Sequence, residues 1–189
     1  SHFFVSIGVR NSFAFLFIHL TDNIGVATAN IGMWSAFMAG IEVPFFILTD
    51  RFLPKIESRF AYIAGALGLS VFIFLIGISQ HWIIILFLFL FRGISFPTFQ
   101  LSSFTMVAEF SQKENVATNQ AILQVTIPNV AILLTGSVFG WLYDHIGTSV
   151  FFAVCALTSL IGVIIITIYP VDKIKPADVT PPVIEDASL

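Results

Sequence analysis

Apolar positions run along the chain in long blocks rather than in alternation, and short polar breaks separate the blocks. The first block covers about residues 3–20 and stops at Thr21-Asp22-Asn23. The second covers about 30–48 and ends at a charged stretch from Asp50 to Arg59. Four more follow over about 60–78, 82–107, 117–142 and 149–169, with Ser79-Gln80-His81 closing the third. A helix takes about 20 residues to cross the hydrocarbon core of a bilayer, so the pattern predicts six membrane-spanning helices. Strands of a transmembrane barrel would alternate polar and apolar with period two, which the blocks do not. Beyond them, residues 170–189 carry four prolines and four acidic residues, and this composition predicts a disordered polar tail.

Composition excludes the soluble alternatives. Of 189 residues, 57% are hydrophobic and only 10% charged, whereas a soluble domain carries about a quarter charged residues. A disordered protein, a coiled coil, a disulfide scaffold and an ordinary cytosolic enzyme are thereby ruled out. One cysteine, Cys155, makes no internal disulfide, and no basic cluster points to nucleic acid. The chain starts at Ser1 with neither a basic start nor a cleavage site, so it is expected to begin inside a longer polypeptide or after a removed linker. Charge then fixes orientation. Arg51, Lys55 and Arg59 follow the second block, Lys113 the fourth, and Lys173 and Lys175 the sixth, while the loops after the first, third and fifth carry no Lys or Arg. By the positive-inside rule both ends are cytoplasmic. A multi-pass protein of the plasma or inner membrane is expected.

Ionisable groups inside the blocks are the first candidates for chemistry, because a charge at mid-bilayer costs about 2.5–3.5 kcal/mol on insertion scales. Arg10, Arg92 and Glu42 lie at similar depths, and Glu42 is positioned to neutralise one arginine. Functionally, Glu42 carries a proton and an arginine fork holds an anionic or hydroxyl-rich ligand. The plainer reading is an ion pair that locks helices together; the two weigh about evenly for Arg92 and Glu42, and less favourably for Arg10. Polar residues form a second set: Asn119, Gln120, Gln124, Thr126 and Asn129 in the fifth block, and Ser95, Thr98, Gln100, Ser102 and Ser103 in the fourth. Gln120 and Gln124, four apart, share a helical face that can line a hydrophilic cavity or glue helices together. Glu109, beside the loop holding Arg51 and Arg59, is expected either to latch two helix ends or to stand solvated.

Other features read as architecture. Gly136-x-x-x-Gly140 and the pairs Ala61/Gly65 and Ala64/Gly68 allow close helix approach. Pro97 and Pro128 are expected to kink their helices. His19 and Asp22 lack further ligands for a metal site, and Ser95 lacks both an elbow motif and a histidine base. No cofactor or catalytic residue is expected.

The string Ala39-Gly40-Ile41-Glu42-Val43-Pro44-Phe45-Phe46 followed by Asp50-Arg51 resembles the second-half copy of the loop signature of the major facilitator superfamily. Residues Gly136 to Gly147, leading into an apolar last block, are similar to its final helical hairpin. The nearest flavour is the lactose-permease-like, phenylpropionate-permease-like and sugar-efflux branch. Asp50 and Arg51 carry over as part of a cytoplasmic latch, but Phe46 and Leu53 stand where the signature has glycines. The resemblance implies an all-α half-bundle equivalent to the last six of twelve spans. It also implies alternating access with a second six-helix half, from the same gene, another chain or a second copy. It further implies a small solute, sugar-like or another small organic molecule, moved with protons. Two other classes compete: a non-transporting assembly or receptor module, and, less favoured because the spans offer one carboxylate, a membrane-embedded lipid-transfer enzyme.

Overall fold

The computed structural model describes residues 1–169, so the predicted tail lies outside the described residues. Those residues form helices and connecting turns: α1 (His2–Asp22), α2 (Ile31–Phe52), α3 (Ser58–Ile78), α4 (Trp82–Phe110), α5 (Val116–Ala121), α6 (Ile127–Ile146) and α7 (Thr148–Ile168). A π-helical segment, Ile122–Thr126, joins α5 to α6, and the continuous stretch Lys113–Ile146 counts as one of six candidate membrane spans. Apolar side chains run along whole helices because lipid, not water, is their solvent, and each helix satisfies its backbone groups internally.

Connections are short and chemically marked. Gly25, at φ +78°, turns the chain between α1 and α2, and Gly147, at φ +100°, ends α6 and opens α7. Both lie in the left-handed region, which glycine enters without a Cβ penalty. Pro54 stands in the short 3-10 turn Leu53–Lys55 after α2.

The helices do not share the core equally. α3 packs against both α4 and α7, α1 against α7 and α6, and α2 against α4. Eleven residues are buried in each of α1, α3 and α4, but only Trp34 and Met38 in α2, and Pro128, Ala131 and Phe139 in α6. The centre is therefore α1–α3–α4–α7, with α2 and α6 set at the margin.

Small residues close this centre. A Cβ on Gly65 would strike the Phe99 backbone, and one on Gly68 the Ser95 side chain, so the predicted small-residue spacing in α3 serves its contact with α4. Gly8 similarly abuts the Cys155 carbonyl, and Gly162 lies against Val5, sealing α1 to α7. Gly136 and Gly140 behave otherwise: a Cβ at Gly136 would meet only Ile132 of its own helix at 3.9 Å, and at Gly140 the ring of Phe15 at 3.7 Å. Their spacing promised a tight helix crossing, but within this bundle their face lies along marginal α6. Polar glue supplements the packing: Ser70 donates to Ser159 at 2.8 Å between α3 and α7, and Asn11 to Thr135 at 2.9 Å between α1 and α6.

Candidate functional site: a charged cavity at mid-depth

At about 1.5 Å per residue, Arg10 lies about 12 Å from the start of α1, Arg92 about 15 Å into α4 and Glu42 about 16 Å into α2. These depths bring the three groups to one level of the bundle. A cavity of about 270 Å³ opens there, lined by Arg10, Arg92, Gln100 and Gln124, with His2 and Ser6 beside them and Val9, Phe13, Phe96, Phe99 and Pro128 as apolar walls.

Arg92 is buried and forms an ion pair with Glu42. A glycine makes that pairing geometrically available. A Cβ on Gly93 would run into Ile41 at 2.5 Å and Phe45 at 3.0 Å, so α2 and α4 approach closely where Glu42 and Arg92 adjoin them in sequence. Aromatic faces complete the guanidinium's surroundings, with Phe13 at 4.2 Å and Phe96 at 4.7 Å from its carbon. Cation–π contact of this kind contributes about 2 kcal/mol or more once the cation is desolvated. Nε of Arg92 is buried without a hydrogen-bond partner among the described residues. Glu42 is not among the cavity-lining residues and adjoins the cavity through its pairing with Arg92. Arg10 is exposed, lines the cavity, and has no ion pair among the described residues.

On the opposite wall, Gln124 accepts from Gln100 Nε2 at 2.8 Å and donates to Ser103 Oγ at 2.5 Å, clamping the π segment to α4. Gln120 is not among the cavity-lining residues, although it stands four positions before Gln124. The segment Ile122–Thr126, which contains Gln124, is π-helical and separates it from Gln120 at the end of α5. Pro128 follows two residues later; having no N–H, it leaves the Gln124 carbonyl without the usual i+4 donor. Of the other polar candidates, Ser95 and Thr98 bond to carbonyls of their own helix, as does Ser102, and Asn119 donates to Ser111. Gln124→Leu is expected to lower the unfolding free energy by about 1–3 kcal/mol, because Gln100 and Ser103 lose their partner. Thermal unfolding in detergent checks this.

The chain's sequence matches the family described as Major Facilitator Superfamily over residues 1–185. The chain belongs to the major facilitator superfamily. It is accordingly an integral, multi-pass, all-helical membrane protein from a family of transporters rather than enzymes. No curated protein matches it.

In this major facilitator chain the loop residues do not close on one another. Asp50 and Arg51 are exposed and make no ion pair among the described residues. Glu109 accepts from Ser58 Oγ at 2.5 Å, joining the end of α4 to the start of α3. Arg59, anticipated as a partner for Glu109, donates instead to the carbonyls of Ile166 and Thr167, both at 3.0 Å. Those carbonyls end α7, where unsatisfied acceptors and the negative helix terminus attract a guanidinium. Glu109 thus fastens two helix ends, but through a serine. Ser58→Ala is expected to cost about 1.5–3 kcal/mol, the range for a hydrogen bond to a charged group, read as a lowered detergent melting temperature.

The superfamily resemblance alone left several wall residues unnoticed. Phe96, four residues after Arg92, sits on the same helical face, and that spacing was available as a signal. Phe13, His2 and Ser6 come from another helix, and nothing in local spacing announces them.

Proposed function

We propose that the chain forms one six-helix half of a secondary active transporter that moves a small sugar-like or other small organic solute by alternating access. The observation that carries this reading is the Arg92–Glu42 pair standing at the wall of a polar cavity at mid-depth. A charge in that position is costly and finds its use where a water-filled path needs it. The sparse burial of α2 and α6 supports a second half covering that side, since these helices bury few side chains within their own bundle. The loop-charge pattern supports cytoplasmic ends. Coupling follows from the pair: a proton on Glu42 removes its charge, frees the Arg92 fork for solute, and departs when the solute leaves. Arg10, Gln100 and Gln124 contribute donors; Asp50, Arg51 and Glu109 belong to the cytoplasmic end, where the helix ends must part for the cavity to open inward.

The test is flux through the full-length protein in proteoliposomes under an imposed pH gradient, using labelled sugars and small organic acids. Glu42→Gln is expected to abolish gradient-driven accumulation while solute exchange at equal pH persists. Unchanged gradient-driven flux in that variant overturns the coupling role, and absence of flux for every solute overturns the transporter reading in favour of a non-transporting module.

A further inference from the structure

We propose that the cavity's solute is a small organic anion whose carboxylate or phosphate is held by Arg10. This rests on the transporter reading and narrows it. Two guanidinium groups line the cavity, and the one carboxylate beside them, Glu42, is engaged by Arg92. Two positive charges less one negative leave one positive charge among the described residues, and it sits on Arg10. The remaining titratable wall group, His2, adds no negative charge; its Nδ1 lies 3.1 Å from the Tyr62 hydroxyl and its ring stacks on Phe99. A neutral sugar is satisfied by hydrogen bonds, which Gln100, Gln124 and Ser6 already offer. An unneutralised guanidinium at this depth is explained by an arriving anion, and its fork matches a carboxylate or phosphate. Val9, Phe13, Phe96 and Pro128 give the rest of the solute an apolar surface, so the geometry suits an anion with an apolar or ring-bearing body.

The full-length protein in detergent, melted with matched acid and neutral compounds, tests this. The pairs are benzoate with benzamide, succinate with succinamide, and glucose 6-phosphate with glucose, with lactose as a neutral disaccharide. The expected result is at least tenfold tighter apparent binding of one or more acids than of their neutral partners. That preference disappears in Arg10→Gln and is reduced but retained in Arg10→Lys. If Arg10→Gln fails to fold, an undiminished acid preference in Arg10→Lys overturns the proposal, and a reduced one supports it. Equal shifts by neutral partners, or a shift by lactose alone, overturn the anion assignment and leave the transporter reading standing. No shift by any acid, with Arg10→Gln melting lower, also overturns it, because Arg10 is then neutralised by a carboxylate of the facing half. Counterflow in proteoliposomes separates these failures: movement of neutral solutes sinks only the anion assignment, and movement of none sinks the transporter reading as well.

Discussion

Glu42→Ala is expected to lower the unfolding free energy by about 3–5 kcal/mol, the cost of leaving one member of a buried ion pair alone. Arg92 is buried, flanked by Phe13 and Phe96, and has Glu42 as its ion-pair partner, so removing the carboxylate leaves a largely desolvated guanidinium without its counter-charge. The loss is expected to be asymmetric with respect to rescue. In the double variant Glu42→Leu/Arg92→Leu the stranded charge disappears, and replacing such a pair with apolar side chains is often neutral or stabilising by about 1–4 kcal/mol. The double variant should therefore melt at or above the parent and yet show no gradient-driven flux. Chemical or thermal denaturation of the three proteins, alongside flux, separates a pair that only locks helices from one that transports. Flux preserved in the double variant would assign the pair to structure alone.

Gly65→Val should be the other severe substitution. The added side chain enters where the backbone of Phe99 already lies, and a backbone cannot turn aside as a flexible side chain does. Overpacking a filled interior costs about 1–3 kcal/mol and occasionally more; this site belongs at the upper end, because α3 and α4 must separate along their shared face. Phe99 also walls the cavity, so the displacement reaches the solute site. Gly136→Ala serves as the contrast. Its Cβ has ordinary room within the bundle, and an alanine gains about 1 kcal/mol of helix propensity over glycine. Melting curves should fall steeply for Gly65→Val and stay level or rise for Gly136→Ala.

Comparison of these two glycines shows what a linear pattern can and cannot reveal. Block lengths and hydropathy make helices in lipid legible, since lipid removes every alternative that leaves backbone groups unpaired. The small-residue spacing in α3 and that in α6 look alike as strings, but only the first is pressed against a neighbouring backbone within this bundle, and which helices adjoin is a property of the fold. That Glu42 could meet an arginine was legible because depth along a helix is arithmetic, but that the partner is Arg92 and not Arg10 is a property of the fold. That Gln124 lines the cavity and Gln120 does not was not legible, because two amides four positions apart look equivalent as a string. Arg59 illustrates a third limit: it donates to main-chain carbonyls of α7 more than a hundred residues away, and carbonyls leave no trace in side-chain identity.

Alternating access of the Arg92 cavity is the claim on which the rest depends, and side-specific labelling tests it most directly. Cys155 is fully buried, so Cys155→Ser removes the one cysteine of residues 1–189 with little disturbance of the surface, and any cysteine elsewhere in the full-length protein is replaced likewise. A cysteine placed by Val9→Cys or Gln100→Cys then reports on the cavity in the full-length protein, in right-side-out and inside-out vesicles. A membrane-impermeant maleimide is expected to modify either position from both faces, with the balance between faces shifting when a pH gradient is imposed. Modification from one face only, unaltered by the gradient, would contradict alternating access and leave a static membrane module in its place.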